Sequence, residues 1–334
     1  MKDYLNIFIN DDYPMFIDKY LKTKTLDRLK YVSQFCGCDY TKLYSPLFMY
    51  TRYDHSMVVS LMTWHFTHDK KETIVALLHD VGTPCFAHCV DYVLGDYLKQ
   101  ESSEKKIIDI IVKDRVLLSY LKEEDITLED IKDLSKYKIL DNKIPRLCTD
   151  RLDGVLHSCY IWLKTNTIED IKEVYNNLIL LTNEDNNLEI GFKDIEVANK
   201  FSKMVYKYAT EFQSNNDKYV MKYISELIRL AIDRKLISLE DLYTMKESEI
   251  CNIFDNNFNT WKYFKNIKYL INSNNLPNNT FYISFDTKRR YVIPLVRINN
   301  KNIRLDKIYK DIYDKLYNYS SYKYCYAPWI NKLD

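Results

Sequence analysis

Four polar residues of the sequence lie in or beside apolar segments and are of the types that bind divalent metal ions. They are His55 in RYDHSMVV, His79 and Asp80 in LLHDVGTP, and Asp150 in CTDRLDGV. Burial of such side chains without partners costs roughly 2 to 7 kcal/mol each, and a shared metal ion removes that cost. Two imidazoles and two carboxylates suit a borderline ion with open positions for water and a substrate oxygen. We therefore predict a centre for one divalent ion (Fe, Mn, Ni, Zn or Mg) that activates water for attack on phosphorus.

Helical periodicity places the first of these residues on a buried face. His55 shares one side of a helix with Val58, Val59 and Met62, because offsets of three, four and seven residues return to the same side. The imidazole of His55 is therefore expected to point into the protein, where other helices can bring further ligands to it.

The other three predicted ligands stand near helix ends. The HD dipeptide follows the apolar run 74–78, and Gly82 and Pro84 interrupt the helix directly after it. Both of its side chains can therefore project into a space between helices. Asp150 follows Thr149 at the start of another apolar-periodic segment, which must also pack against the core.

The remainder of the sequence predicts a mostly α protein with a small C-terminal α+β region. Apolar residues recur mostly at helical spacing before residue 270. Three of the longer helices are expected over Ile168 to Leu181, Ile195 to Phe212 and Lys218 to Arg234. From Thr280 to Leu305 the runs FYISF, RRYVIPLVRI and NIRL predict a short antiparallel sheet with a turn at Asn299 and Asn300. The expected division is a helical domain over 1–270 and an appendage over 271–334.

Composition narrows the classes of function. Lys plus Arg number 48 against 47 Asp plus Glu, so no overall field draws the protein to nucleic acid or to an anionic membrane. Gly is rare, with 5 residues, and the sequence has neither a P-loop nor a dinucleotide fingerprint. The eight cysteines are scattered, as in a reduced protein. With no export signal and no apolar run of about 20 residues, we expect a cytoplasmic protein without a membrane partner.

Four cations lie close to an aromatic residue in the predicted C-terminal sheet. Lys288, Arg289, Arg290 and Arg297 surround Tyr291, a combination that also occurs on nucleic-acid-binding surfaces. In a protein of balanced charge, such cations usually form a solvated edge that discourages aggregation. We therefore interpret them as that edge and expect no nucleic-acid partner.

The order of the motifs resembles the HD phosphohydrolase superfamily. The segments RLKYVSQF (28–35), RYDHSMVV (52–59), ALLHDVGTPCFAH (76–88) and DRLDG (150–154) are similar, in this order, to segments of deoxynucleoside triphosphate triphosphohydrolases. The likeness covers roughly residues 25–165. It implies an HD-type helical bundle and a metal-dependent enzyme that hydrolyses (deoxy)nucleotide phosphate esters, whose partner is a phosphorylated small molecule. Members of this family often form homo-oligomers, which the resemblance allows here as well.

The resemblance also implies roles for residues around the metal. It makes Arg52 and Arg151 contacts of the substrate phosphate, since a planar guanidinium can bind two oxygens at once. The metal ligands that it implies are the four residues named above: His55, His79, Asp80 and Asp150.

Proton transfer and sugar binding are implied for two further pairs. His88 and Asp91 match the family pair beyond the HD motif, and a separation of three residues places the carboxylate beside the ring. Asp91 can then orient His88 and raise its basicity for proton transfer to a leaving oxygen. Gln34 and Phe35 match positions that line the sugar pocket. His157 lies on the same helical stripe as the predicted metal ligand in its segment, and we interpret it as a core residue.

The sequence also departs from the family pattern. Thr83 and Gln100 stand where histidines are expected, and Gly154 and Ser158 stand where a Tyr and an Asp handle the sugar. These changes leave the metal residues intact, favour one ion over two, and keep two alternatives open. One is a phosphatase or phosphodiesterase acting on a non-nucleotide or cyclic-nucleotide ester. The other is a non-catalytic HD regulatory module.

Overall fold

A computed structural model describes residues 1–9, 12–96, 98, 106–285 and 289–330 of the chain. Within these residues the protein is mostly helical, with seventeen α-helices and two small sheets. The helices are α1 (Lys2–Leu5), α2 (Ile17–Leu21), α3 (Lys24–Leu29), α4 (Arg52–Thr67), α5 (Lys70–Leu78), α6 (Cys89–Leu94), α7 (Ile107–Ile111), α8 (Arg115–Glu123), α9 (Leu128–Lys132), α10 (Thr149–His157), α11 (Ile168–Asn176), α12 (Ile195–Phe212), α13 (Asn215–Asp233), α14 (Asp241–Thr244), α15 (Glu247–Asn257), α16 (Asn259–Lys265) and α17 (Lys310–Tyr317).

The N-terminus of α4 is fixed by a capping box. The Thr51 side chain accepts a hydrogen bond from the Asp54 backbone N–H, and the Asp54 carboxylate accepts one from the Thr51 backbone N–H. Both donors would otherwise be left without partners at the helix start. The box therefore fixes where the helix begins and places Arg52 and His55 in its first turn, against α5 and α10.

The HD dipeptide lies where α5 ends. His79 is the C-cap residue of this helix, and a tight turn follows, in which the Thr83 N–H donates to the Asp80 carbonyl over 3.0 Å. The third element of the site, α10, carries Asp150 in its first turn and continues into a π-helical turn, Ser158–Trp162. Each predicted ligand thus stands in the first turn or at the end of a helix, facing the space between α4, α5 and α10.

The strands form two sheets. They are β1 (Leu178–Thr182), β2 (Leu188–Phe192), β3 (Ile271–Ser273), β4 (Tyr282–Ile283), β5 (Leu295–Ile298), β6 (Lys301–Arg304) and β7 (Tyr324–Tyr326). One sheet has the order β1-β2-β5-β6, in which β2 and β5 are parallel and the outer pairs antiparallel. The other is an antiparallel sheet of order β3-β7-β4. The first sheet joins strands from both sides of the division expected near residue 270.

The prediction of a mostly α protein is confirmed, and residues 271–334 contain a short antiparallel sheet, β3-β7-β4. The three runs from Thr280 to Leu305 do not form one sheet, however, because β4 pairs with β7 whereas β5 and β6 extend the sheet of β1 and β2. The helix expected from Ile195 to Phe212 has those limits. The turn at Asn299 and Asn300 is also confirmed, with φ values of 47° and 61°, the left-handed conformation that a two-residue hairpin turn requires. Among the described residues, no helix combines the length and the apolar composition needed to cross a membrane.

The helix expected from Ile168 to Leu181 is wrong in its second half. The helix α11 ends at Asn176, and residues 178–182 form β1, paired with β2 through a turn at residues 183–187. The apolar residues of β1 fit helical spacing as well as they fit a strand. The outcome is decided by the pairing of β1 with β2, which in turn pairs with the distant β5.

Candidate metal centre

The four predicted ligands converge in the structure. His55, His79 and Asp80 each offer one ligand atom, and these three atoms lie within 4.8 Å of one another. The Asp150 Oδ1 atom lies 3.2 Å from His55 Nε2 and 3.6 Å from His79 Nε2. Ligand atoms bound about 2.1 Å from one ion at right angles stand roughly 3 Å apart. The arrangement could therefore hold a divalent ion with little movement of the side chains.

In both histidines, a hydrogen bond at Nδ1 leaves the other ring nitrogen, Nε2, facing this point. His79 Nδ1 lies 2.7 Å from the Ala76 carbonyl oxygen, and His55 Nδ1 lies 2.6 Å from Asp153 Oδ2. Because both partners are acceptors, each Nδ1 must carry the proton and donate it. The Nε2 atoms then face Asp150, in the arrangement by which metal-binding histidines are usually held.

Asp153 belongs to the candidate site, and the sequence analysis missed it. It is fully buried and accepts hydrogen bonds from Tyr4 over 2.7 Å, from Tyr50 over 3.0 Å and from His55. Together they hold the carboxylate against the back of the His55 ring. A signal was present in DRLDG, where Asp153 follows Asp150 by three residues and shares its helix face.

His157 lies on the far side of the same carboxylate. Its Nδ1 is 3.4 Å from Asp153 Oδ2, and its ring is stacked on Tyr50 at 5.0 Å between centroids. With His55 and Asp153 it forms a second group of close donor atoms. The oxygens of Asp153 already accept from two tyrosines and from His55, so this group serves to orient His55. The interpretation of His157 as a buried residue is confirmed.

Arg52 and Thr83 hold the carboxylate of Asp80. Arg52 Nη1 donates to Asp80 Oδ2 over 2.7 Å, and Thr83 Oγ1 donates to Asp80 Oδ1 over 2.8 Å. Arg52 is also buried. The structure thus places Arg52, which the resemblance assigns to substrate phosphate, on a predicted metal ligand.

Arg151 lines the site but is bound by a neighbouring loop. Its Nε donates to the Arg146 carbonyl over 3.0 Å, its Nη1 lies 3.3 Å from Asp141, and its Nη2 contacts Asn142. These contacts fold the guanidinium toward residues 141–146. Contact of Arg151 with substrate phosphate stays a prediction.

His88 and Asp91 form the pair that their spacing predicts. His88 Nδ1 lies 2.9 Å from Asp91 Oδ2, and His88 Nε2 lies 3.4 Å from Nη2 of Arg290. A carboxylate accepts and a guanidinium donates, so the ring carries its proton on Nδ1 and accepts at Nε2. Burial lowers the pKa of His88, and the charges of Arg290 and Arg52 lower it further, against the opposing effect of Asp91. The lowered pKa favours the neutral ring, whose Nε2 faces the cleft.

Gln34 and Phe35 lie at the inner end of the site. Gln34 lines the space in front of the predicted ligands, and it also lines a small recess behind it. Phe35 lines this recess, with its ring 6.2 Å from that of Trp162. Gln100 and Lys288 lie outside the described residues.

The predicted residues other than Phe35 line one cleft of about 650 Å³, which we term the metal cleft. This volume is in the range of small-molecule sites, about 300 to 1,000 Å³. The lining includes the four predicted ligands together with Gln34, Arg52, His88, Asp91, Arg151, Tyr208 and Arg290. Of these, Tyr208 and Arg290 had no predicted role in the site.

The electrostatics of the metal cleft favour a bound cation. Burial alone would raise the pKa of Asp150, but hydrogen bonds to His55 and His79 hold that pKa well below 3.8. Burial opposes charge on His55, yet Asp150 and Asp153 raise its pKa to about 10. Burial would raise the pKa of Asp80, but Arg52, His79 and His55 together lower it, so Asp80 stays ionised. A divalent ion between His55 Nε2 and Asp150 would take the place of the proton there, and proton release would accompany metal binding.

The comparisons with known proteins name a relative but no family. No family model matches the chain. The chain is similar to the uncharacterized protein YdhJ of Bacillus subtilis (strain 168), with 28% identity over 238 residues. The aligned region covers 71% of this chain and 70% of YdhJ.

Proposed function

We propose that this protein is a metal-dependent phosphohydrolase with an HD-type helical bundle, which hydrolyses (deoxy)nucleotide phosphate esters in the metal cleft. The observation that carries the proposal is the convergence of two imidazole Nε2 atoms and two carboxylates at one point. Separate hydrogen bonds orient three of these groups: His79 to Ala76, His55 to Asp153, and Asp80 to Arg52. A set of polar groups held in this way is typical of a binding site. If these groups served only for packing, their burial would cost free energy that no ligand offsets.

The side chains around the ligands have complementary tasks in such a reaction. A bound divalent ion would polarise a phosphoryl oxygen and lower the pKa of water. His88 Nε2 accepts a proton from the attacking water as the new P–O bond forms. The old P–O bond breaks on the opposite side of phosphorus, and the leaving oxygen takes its proton from solvent water. Asp91 stabilises the charged ring until His88 releases the proton that it accepted.

A hydrolysis panel with defined metal content tests the proposed function. We expect the purified protein to contain about one divalent ion per chain and to hydrolyse deoxynucleotides, with activity lost on chelation and restored by one of Fe, Mn, Ni, Zn or Mg. Products are measured as phosphate, pyrophosphate and triphosphate. Non-nucleotide and cyclic-nucleotide esters belong in the same panel, because preference for them would support the phosphodiesterase alternative.

Two results would contradict the proposal. Absence of hydrolysis with every metal, combined with a melting temperature that falls on chelation, would identify a regulatory module with a structural metal. Absence of bound metal after incubation with each ion would refute the centre itself.

The acidic limb of the pH profile should report His88. Only the neutral ring can accept a proton, and its pKa is lowered below 6.5 by burial and by Arg290 and Arg52, against Asp91. We therefore expect kcat/KM to be maximal near neutral pH and to fall as the pH drops through this lowered pKa. His88→Asn should remove this limb and lower the plateau by about 100-fold or more.

The exposed residue His68, which pairs with Asp12 at the surface, offers a matched control. His68→Asn makes the same substitution away from the cleft, and its profile should keep both the limb and the plateau. An unchanged limb in His88→Asn would assign the titration to another group.

A further inference from the structure

Arg290 lies in the wall of the metal cleft, although it comes from the C-terminal part of the chain. Its Nη2 lies 3.4 Å from His88 Nε2, and its guanidinium carbon lies 5.6 Å from the centre of the Phe212 ring. Burial raises the pKa of Tyr208, and a hydrogen bond with Arg290 acts in the opposite direction. The guanidinium is thus held among an imidazole, an aromatic face and a phenol hydroxyl.

The segment that carries Arg290 is firmly attached to the rest of the protein. Val292 and Ile293 are buried, and the Ile293 N–H donates to the Pro145 carbonyl over 2.8 Å. The strand β5 then begins at Leu295, which pairs with Gly191 of β2. Anchors on both the 141–146 loop and the four-stranded sheet fix the position of Arg290 relative to the cleft.

The neighbouring residue shows that this placement is specific. Arg289 is exposed, and its Nη1 donates to the Tyr317 carbonyl over 2.9 Å. It does not line the metal cleft. The two arginines are therefore adjacent in sequence but face different environments, and the interpretation of both as one solvated edge is wrong for Arg290.

Gly154 lies beside the Tyr208 hydroxyl in the wall of the cleft. A Cβ atom at Gly154 would lie 3.7 Å from the Tyr208 hydroxyl oxygen, so a longer side chain there would approach that hydroxyl. Both residues line the metal cleft. Gly154 thus places little bulk beside the Tyr208 hydroxyl in the cleft wall.

We propose that Arg290, together with Tyr208, binds a phosphate oxygen of the substrate. This inference rests on the proposed function in one respect: His88 Nε2 must meet an oxygen on the reacting phosphorus. A guanidinium 3.4 Å from that nitrogen is then within reach of the other oxygens of the same phosphate. Arginine suits this task because it is always charged and donates two parallel hydrogen bonds.

Binding of an inorganic anion tests the role of Arg290 without requiring turnover. Calorimetric titration with tripolyphosphate, on the protein with its metal, should give a Kd about 10-fold or more weaker for Arg290→Gln than for wild type. Arg290→Lys should recover part of the affinity, because it keeps the charge but loses the paired donors. Arg289→Gln removes the same charge one residue away and should bind like wild type.

Kinetics with bis(4-nitrophenyl) phosphate give the second readout. If Arg290 already contacts the substrate before the chemical step, Arg290→Gln should raise KM about 10-fold or more, with a smaller change in kcat. Thermal melting of each variant shows whether it is folded. Equal tripolyphosphate affinities in Arg290→Gln and Arg289→Gln would overturn the inference, as would absence of binding to wild type.

The two readouts separate this inference from the proposed function. Anion binding that depends on Arg290 in a protein that hydrolyses no ester would refute the enzyme but support the anion contact. Metal-dependent hydrolysis with no change of KM or Kd in Arg290→Gln would support the enzyme and overturn the contact.

Discussion

Replacement of Asp80 by alanine should remove the metal and lower the hydrolytic rate by roughly 1,000-fold or more. Asp80 supplies one of the two carboxylates of the predicted centre, and its contacts with Arg52 and Thr83 fix the direction of both oxygens. The remaining three groups would leave an ion with fewer bonds and less charge compensation. Elemental analysis of the variant and its kcat/KM on the best ester of the panel measure both effects.

The control for this variant must separate loss of metal from loss of fold. Asp80→Ala leaves the buried Arg52 without its carboxylate, and breaking a buried ion pair can cost about 3 to 5 kcal/mol of stability. Asp80→Asn keeps the volume and one acceptor, so it should remain better folded and still bind metal poorly. Asp141→Ala removes another carboxylate of the cleft, one that pairs with Arg151, and should keep its metal. Full metal content and activity in Asp80→Ala would place the centre elsewhere.

The candidate ligand residues could be chosen from the sequence because each of them is marked locally. His55 stands on an apolar helix face, and the HD dipeptide precedes two helix-breaking residues. What the local pattern could not supply is the distance between them. Their convergence depends on the packing of α4 against α5 and α10, which joins segments far apart in the chain.

The groups that orient the ligands were less accessible. Asp153 is separated from its partners Tyr4 and Tyr50 by 149 and 103 residues, and neither tyrosine has a distinctive sequence context in a chain with 30 of them. Arg290 was misinterpreted for a related reason. A run of cations predicts a solvated edge on average, whereas the direction of each side chain is set by tertiary anchors such as the contact between Ile293 and Pro145.

The fold shows the same limit. Long amphipathic segments such as α12 have strong periodicity, and their limits follow from it. The hairpin of β1 and β2 is short and partly buried, so its apolar residues carry little periodic information. Its pairing partner β5 lies about a hundred residues further along the chain, and such a contact leaves no trace in a local pattern.

Replacement of Asp153 by asparagine should weaken metal binding by about 10 to 100-fold without touching a ligand atom. The Asp153 carboxylate holds the proton of His55 on Nδ1, so that Nε2 presents its lone pair to the metal. An asparagine can turn its NH₂ group toward Nδ1, which favours a proton on Nε2 and blocks the metal-binding nitrogen. Titration of metal-free protein with Mn²⁺ measures the affinity, and excess metal should restore most of the activity.

A buried aspartate elsewhere separates this effect from general destabilisation. Asp114 caps α8 and accepts hydrogen bonds from Leu117 and Thr25. Neither partner is a predicted metal ligand. Asp114→Asn should lower the melting temperature and leave the Mn²⁺ affinity unchanged. If Asp153→Asn also lost stability but kept wild-type affinity, Asp153 would be a packing residue, and the orientation of His55 would have to come from α4 itself. A loss of affinity confined to Asp153→Asn would instead show that the buried Asp153 carboxylate determines metal affinity, because it fixes the tautomer of His55.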